Sequence, residues 1–319
     1  MDLSIIIVNW NSKYYLRKCI DSILRNVKNF NFEIIVIDNA SYDGSCEMLQ
    51  RHCPQVRFIQ SEVNLGFAKA NNEAFKESIG RIILFLNPDT ELKSGAIQKM
   101  AYNLESLPSA GSVGAKLINS NGSIQTSCIQ AFPDIMNQVL DTEVLRKIFP
   151  NSRLWGIKPL MSGDYKSVEV DVITGACLMI KRTVFEDIGM FSNDYFMYSE
   201  DIDICYKIRK AGWKNYFVPS ATVLHFGGAS SAQVLVNTFS VVMMLESRWR
   251  YFLKTKPLWY CCLYRFSMFF SSLIRIGIVL IGWPILKVIG KELLIKNTLR
   301  KWVARLKWTL GREEWLKNY

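Results

Sequence analysis

Short apolar runs alternate with amphipathic segments along the first part of the chain. Leu3-Ser4-Ile5-Ile6-Ile7-Val8-Asn9 has no polar face, the pattern of a strand buried on both sides. Residues 13–27 switch to helical spacing, with Leu16, Ile20, Ile23 and Leu24 on one face. Glu33-Ile34-Ile35-Val36-Ile37-Asp38 is a second buried strand. Asn39 to Ser45 is loop chemistry, with a helix after it to about Cys53. Residues 56–60 read as a third, short strand, Asn64-Leu65-Gly66 as a turn and residues 67–79 as a helix. A fourth run, Ile82-Ile83-Leu84-Phe85-Leu86, stops at Asn87-Pro88-Asp89, because proline cannot donate to a ladder. Strands alternating with helices predict an α/β fold with a mostly parallel, doubly wound central sheet.

Further on, residues 94–107 read as a helix, 112–118 as a strand and 119–122 as a turn. Residues 128–167 have no clear period, and so long an excursion in a compact domain is often a binding loop. β character returns at 168–180. Ser199 reads as the N-cap of a helix that ends at Gly212, with Glu200 and Asp201 in its first turn. Residues 213–218 form a strand, and His225-Phe226-Gly227-Gly228 a glycine-rich turn. The expected organisation is one domain over residues 1–253, with halves of about 1–118 and 119–253, and a tail over 254–319.

Charge separates the same two parts. Thirteen Lys/Arg and three Asp/Glu fall from Lys254 onward, while residues 1–253 hold 26 basic and 25 acidic side chains. Such asymmetry points to nucleic acid or to an anionic membrane surface. Residues 258–289 are mostly apolar, but Arg265 and Arg275 interrupt them. The longest charge-free piece, 276–286, falls short of the roughly 20 residues that a bilayer span needs. Residues 291–310 are basic and amphipathic, with Ile295, Leu299, Trp302, Leu306 and Leu310 on one stripe. Five of the nine tryptophans lie in this tail, interleaved with aliphatics, which favours lipid over a phosphate backbone. The expectation is a helical tail lying on a membrane with Trp302 at headgroup depth, and no nucleic-acid partner. The N-terminus shows no basic leader before its first strand, and the eight scattered cysteines form no C-x-x-C pair, so free thiols are expected.

The candidate chemistry lies at strand ends. Asn9-Trp10-Asn11-Ser12 follows the first strand without a glycine, which excludes the dinucleotide fingerprint and the P-loop. Asp38, Asp89, Glu200 and Asp201 fall where strands hand over to loops or helices begin, the edge where open α/β sheets bind ligands. Each has a plainer reading as a turn or helix-start residue, and His225, one of only two histidines, could be a core histidine. Carboxylates and a lone histidine on one sheet edge suit a divalent cation bound to a diphosphate.

In order, Ser4-Ile5-Ile6-Ile7-Val8-Asn9-Trp10-Asn11, Val36-Ile37-Asp38-Asn39-Ala40-Ser41-Tyr42-Asp43-Gly44-Ser45, Asn64-Leu65-Gly66-Phe67-Ala68, Asn87-Pro88-Asp89, Thr174-Gly175-Ala176, Ser199-Glu200-Asp201-Ile202-Asp203 and His225-Phe226-Gly227-Gly228-Ala229-Ser230 resemble the family 2 glycosyltransferases of the GT-A fold. Within that family they are most similar to the bacterial rhamnosyltransferase-like group. The resemblance covers roughly residues 3–250. It implies a nucleotide-sugar site made by Asn9, Asn11, Asp38, Asn39, Asp43, Asn64, Gly66, Phe67 and Asn87. Asp89 would hold a Mn²⁺ or Mg²⁺ ion with His225, with Asn87 replacing the first acid of the family's D-x-D pattern and orienting rather than ligating. Asp201 would be the general base, with Glu200 beside it. The implied activity is inverting transfer of L-rhamnose from dTDP-L-rhamnose to a lipid-linked saccharide, at the cytoplasmic face of the plasma membrane, by a peripheral or monotopic protein. A UDP-hexose or UDP-galactofuranose donor is the alternative within the class, and a catalytically silent saccharide- or nucleotide-binding protein the alternative outside it.

Overall fold

The computed structural model describes residues 1–227, 237–288 and 290–318; Gly228, Ala229 and Ser230 of the last motif lie outside the described residues. The chain forms two compact units. The first takes Met1–Phe132, Lys147–Phe196 and the described chain from Glu200 through His225; the second takes Pro133–Arg146, Met197–Ser199 and the described chain from Asn237 on.

The first unit begins with β1 (Leu3–Asn9), α1 (Lys13–Asn26), β2 (Phe32–Asn39), α2 (Ser45–His52), β3 (Arg57–Ser61), α3 (Gly66–Lys76) and β4 (Ile82–Leu86). It continues with β5 (Thr90–Leu92), α4 (Ala96–Ser106), β6 (Ala110–Ile118) and β7 (Ile129–Gln130). After the short helices α5 (Ile135–Val139), α6 (Glu143–Ile148) and α7 (Lys158–Met161) come β8 (Val168–Val170), β9 (Val172–Ile173), β10 (Cys177–Lys181), α8 (Arg182–Asp187), α9 (Glu200–Lys210) and β11 (Lys214–His225).

Nine strands make one sheet in the order β3-β2-β1-β4-β10-β6-β11-β5, with β8 also on β11; β7 and β9 pair separately. β3, β2, β1 and β4 are parallel neighbours, as are β6 and β11. β10 inserts antiparallel between β4 and β6, and β5 and β8 pair antiparallel with β11. The sheet is therefore mixed but mostly parallel, as the alternation of apolar runs and amphipathic segments predicts. All five residues of β4 are buried, because helices cover the sheet: α3 packs on β1 and β2, and α4 on β6, β10 and β11. A knot of Phe75, Phe85, Phe185 and Phe191, with ring centroids 4.8–5.3 Å apart, fills the core beneath α3 and α8. Such pairs add about 0.5–1.5 kcal/mol each beyond their buried area.

Four local expectations change. Leu24 of α1 is 40% exposed, and the buried face runs through Leu16, Cys19, Ile20 and Ile23 instead. The residues after Asp89 are not loop but the strand β5. β11 runs seven residues past the expected end at Val218, crossing an irregularity at Val218–Thr222, so that His225 ends a strand rather than sitting in a turn. Ser199 does not cap α9, since its φ is +65° and its buried hydroxyl finds no hydrogen bond.

In the second unit, α10 (Thr238–Thr255), α11 (Leu258–Val288) and α12 (Glu292–Thr309) pack on one another, with α5 against α11. Asp134 closes a capping box at the start of α5 with Asn137. The tail departs from its expectation in two ways. Arg265 and Arg275 divide the apolar run but lie within a single helix, α11, of 31 residues. Arg265 donates to the carbonyls of Trp308 (2.8 Å) and Thr309 (2.9 Å) in the last turn of α12, where a cation is favoured, and Arg275 donates to the carbonyl of Val139 at 2.6 Å. Leu258–Pro284 is long and apolar enough to cross a bilayer by length and composition, and only 17% of its most apolar window is buried. Trp302, in turn, is not at a surface. It is buried, as are Ile295 and Trp308, whereas Leu310 at the end of the stripe is exposed, and α11 exposes Phe266, Ile274, Ile278 and Ile281.

Gly114 of β6 gives a stability test. A Cβ there would stand 2.1 Å from Cγ2 of Ile173 on β9. Gly114→Ala should lower stability by about 1–3 kcal/mol through overpacking. Adding Ile173→Ala, which removes the clashing methyl, should return part of that loss, and thermal unfolding of the purified single and double variants measures both.

Candidate active site

Parallel pairing of β1 with β2 sets Asn9 opposite Asp38. Both are buried, so their polar atoms must find partners. The Asn9 amide donates to Asp38 Oδ2 (2.7 Å), Ser45 Oγ (3.0 Å) and Ser41 Oγ (3.2 Å). Asp38 Oδ1 accepts from the Ser41 backbone N–H (2.7 Å) and from Gln60 (3.1 Å). Asn9 Oδ1 is left without a partner. The loops that follow are cross-tied. The Asn11 N–H donates to Ser41 Oγ, the Tyr42 N–H donates to Asn11 Oδ1, and Asp43 accepts from the Lys13 N–H at the start of α1 and from Ser45. Asn11 and Ala40 hold left-handed φ values of +49° and +61°. For alanine that conformation costs about 1–2 kcal/mol, a strain that functional loops commonly carry.

The Asn64–Phe67 turn is fastened on three sides. Asn64 Oδ1 accepts from the Gly66 N–H (2.9 Å), the Asn39 amide donates to the Gly66 carbonyl (3.1 Å), and the Phe67 N–H donates to the carbonyl of Phe196 (2.9 Å). Gly66 has φ +76°, and a Cβ on it would come 2.3 Å from that same carbonyl, so only glycine fits. The Phe67 ring leans on Phe191 at 6.1 Å, at the margin of the phenylalanine knot. Asn39 is buried and Asn64 exposed.

Asp89 and His225 meet because β5 pairs antiparallel with β11, which sets Thr90 opposite His225. The Phe226 N–H donates to the Asp89 carbonyl at 2.9 Å, and His225 Nε2 lies 3.3 Å from Asp89 Oδ1. Gln125 fixes the ring. Its amide donates to Asn119 Oδ1 (2.8 Å) and to the His225 carbonyl (2.7 Å), which turns its Oε1 toward His225 Nδ1 at 2.8 Å. An acceptor at Nδ1 assigns the ring proton there and leaves a lone pair on Nε2. A lone pair and a carboxylate oxygen this close repel unless a cation or a proton lies between them. A carboxylate and an imidazole are ligand types that a divalent cation accepts. Among the described residues no three His, Cys, Asp or Glu side chains form a complete metal cage.

Asp201, in the first turn of α9, accepts from the Gly175 N–H through Oδ2 at 3.4 Å, and Asp201 Cβ and the Phe67 ring both lie within 3.6 Å of where a Gly175 side chain would begin. One residue on, the carbonyl of Ala176 accepts from the Asn87 N–H at 3.0 Å. The segment Thr174-Gly175-Ala176 therefore joins the Asp201 corner to the Asn87–Asp89 corner. Glu200 is buried. Asp203, from the same motif, is structural: it accepts from Ser192 Oγ (2.6 Å) and Tyr195 OH (3.3 Å). The buried thiols of Cys19 and Cys177 are pushed up to about 12 by burial and are inert at neutral pH.

The structure thus gathers the named residues into linked groups: Asn9, Asn11, Asp38 and Asp43; Asn39, Asn64 and Gly66; Phe67 with Asp201; and Asp89 with His225. A cavity of about 580 Å³ is lined by Asn11 and Asp43 together with Lys13, Tyr15, Arg17 and His52, and none of Asp89, Asp201 or His225 borders it. Gln125, Gln60, Ser41 and Ser45 were not singled out in the sequence. The two serines stand inside a quoted motif, whereas Gln125 lies in a loop that carries no signal.

Comparison with known proteins gives the family and the fold. The profile described as "Glycosyl transferase family 2" matches residues 4–189. An N-acetylglucosaminyl-diphospho-decaprenol L-rhamnosyltransferase of Mycobacterium tuberculosis is 27% identical over 63% of this chain and 68% of its own length. Rhamnosyltransferase WbbL of Escherichia coli is 25% identical over 80% of this chain and 94% of its own. Among solved structures, the mannosyltransferase PcManGT of Pyrobaculum calidifontis, in complex with GDP-Man and Mn²⁺, superposes with a TM-score of 0.60 at 15% identity, over 98% of this chain and 88% of that one. The chain belongs to glycosyl transferase family 2, as a rhamnosyltransferase-like glycosyltransferase with the GT-A fold.

Proposed function

We propose that this enzyme transfers L-rhamnose from dTDP-L-rhamnose, with inversion, onto a lipid-linked saccharide at the cytoplasmic face of the membrane, in the synthesis of a cell-surface polysaccharide. The observation that carries the metal-assisted reading is the opposed pair Asp89 Oδ1 and His225 Nε2, 3.3 Å apart and held by Gln125. The donor and acceptor follow from what the relatives' names state, an L-rhamnosyl group and a diphospho-decaprenol carrier.

Asp38, with its carboxylate braced by Asn9, Ser41 and Gln60, accepts from the nucleoside. Asn9 and Asn39, both buried, brace the site, while Asn11, Asn64 and Phe67 lie at its margin and Asp43 locks the two loops together. Asp89 and His225 hold a Mn²⁺ or Mg²⁺ ion, and the imidazole favours Mn²⁺. When bound, that ion offsets the charge that builds on the leaving diphosphate. Asn87 orients the Asp89 corner through its backbone bond to Ala176. Asp201 takes the proton from the acceptor hydroxyl, and a single positioned carboxylate is enough for one in-line displacement.

Removing the base while keeping its shape separates chemistry from binding. Asp201→Asn should lower kcat by roughly 10²–10⁴ and leave donor affinity in place. If Glu200→Gln is the dead variant and Asp201→Asn turns over normally, the roles are reversed. A donor panel with dTDP-rhamnose, UDP-galactofuranose and UDP-hexoses, read by nucleoside diphosphate release, identifies the sugar. Release from none of them would favour a silent binding protein.

Chelation tests the ion. EDTA and Asp89→Ala should each abolish metal-dependent nucleotide binding by calorimetry, and Mn²⁺ should restore it to the chelated wild type but not to the variant. Nucleotide binding indifferent to both treatments would exclude the assigned pair.

The apolar surface of α11 predicts membrane association. Full-length protein should pellet with membranes and require detergent for release. Alkaline carbonate distinguishes the two modes, since a surface-bound helix is stripped by it and a spanning one stays. Exchanging Phe266, Ile274 and Ile278 for serine should move the protein toward the supernatant; an unchanged distribution would show that another surface anchors it.

A further inference from the structure

The second unit holds a cluster of cations with no part in the chemistry above. The ring of Trp302 is buried in the unit, and two guanidiniums stand over it, Arg275 and Arg305, each 4.5 Å from the ring centre, with the Lys301 ammonium at 5.8 Å. Each cation gains from the ring, by about 0.5–2 kcal/mol, but the three repel one another. The carboxylate whose charge acts on all three is Asp141, and Asp141 is already held by Arg146 at 2.7 Å.

Among the described residues, two donors in this cluster have nothing to donate to. Arg305 Nε is shut off from solvent and makes no hydrogen bond, and the Tyr264 hydroxyl, on a fully buried side chain whose charge interactions include Arg305, makes none either. A buried donor left unmet costs about 1–3 kcal/mol, more on a charged group. Burial also holds the Arg305 guanidinium and the Lys301 ammonium below their ordinary ranges, the direction expected where cations lack counter-charge. Other arginines of these helices are paired, Arg265 with two carbonyls and Arg250 with Glu246, and Arg275 itself gives one N–H to the Val139 carbonyl while its guanidinium faces the ring. Excess positive charge, a planar fork with a free N–H and an aromatic floor together describe a receptor for an oxyanion.

We propose that Arg275, Lys301 and Arg305, arranged around Trp302, form a binding site for a phosphate or diphosphate group. The site rests on its own residues for the anion. It deepens the membrane reading for the source, because the helix that carries Arg275 also carries exposed Phe266, Ile274 and Ile278. A phosphate carried on a lipid would bring the counter-charge and the chain together.

The test uses the full chain in neutral detergent and three probes: inorganic diphosphate, farnesyl diphosphate and farnesol. Calorimetry should show binding of farnesyl diphosphate and none of farnesol. Arg275→Gln with Arg305→Gln should weaken it at least tenfold, while Arg305→Lys alone, which keeps the charge and loses the fork, should weaken it less. Dissociation constants for the nucleotide, measured on the same samples, should not move, which separates this site from the donor site and reports folding of the variants. Removing two exposed charges of α12, Arg300→Gln with Lys307→Gln, should cost less than threefold. Inorganic diphosphate binding as tightly as the farnesyl ester would assign the site to free phosphates. Competition by phosphatidylglycerol vesicles, but not by phosphatidylcholine ones, would assign it to a lipid headgroup. Equal losses in the surface-charge control, or no binding of any phosphate probe, would overturn the proposal.

Discussion

Strand β11 carries two registers at once, and the corner where Asp89 meets His225 depends on both. Along β6 it runs parallel, and along β5 antiparallel, so one strand ties the end of the central sheet to the residues just after Asp89. Side chains alternate faces along a strand, so a slip of one residue would turn His225 away from Asp89 altogether. Buried Val223 and Leu92, paired across β11 and β5, hold that register by packing rather than by polar contacts. The irregularity between Val218 and Thr222 absorbs the bend of a strand that carries Pro219, several residues before the histidine.

The opposite corner is built in another currency, that of buried amides and hydroxyls. Asn9, Asp38, Ser41 and Ser45 form a web in which a carboxylate and an amide are both withdrawn from water and satisfied by one another. Such webs are rigid when complete and costly when not. Here the cost sits in two places, the unmet Asn9 Oδ1 and the left-handed Ala40, and both lie where the first two strands open into loops. Local imperfections of this kind are expected where a chain is shaped for a ligand rather than for its own stability.

Much of this was legible beforehand. β1, β2 and β4 are apolar runs ended by polar residues, and such runs have little choice but to be central strands. Asn9, Asp38 and Asp89 stand at or just past the ends of such runs, while the roles of these and the other motif residues came from the family resemblance. What was hidden is everything set by a partner distant in sequence. β5 is three residues with no period of its own, and only β11 makes it a strand. Gln125 lies 100 residues from the histidine it orients. Arg265 and Arg275 read as interruptions because a composition window counts a charge without knowing that a carbonyl waits for it. Trp302 read as an anchor for lipid because a stripe of apolar residues looks the same whether it meets a bilayer or another helix.

The segment Thr174-Gly175-Ala176 acts as a fixed gauge between the two working ends of the site. One residue is bonded to Asp201 and the next to the backbone of Asn87, so the spacing is set by covalent geometry, about 3.3–3.6 Å per residue, and not by how side chains pack. Under the proposed roles, the distance from leaving group to proton acceptor is then the same whatever sugar lies between them. The walls that meet the sugar's hydroxyls can drift through substitution, and the acceptor side can be rebuilt, while the span across which the bond is made and broken keeps its length. Divergence in what is transferred and constancy in how it is transferred become separable in this chain, because they are written in different parts of the polypeptide: one in side chains, the other in three consecutive peptide units.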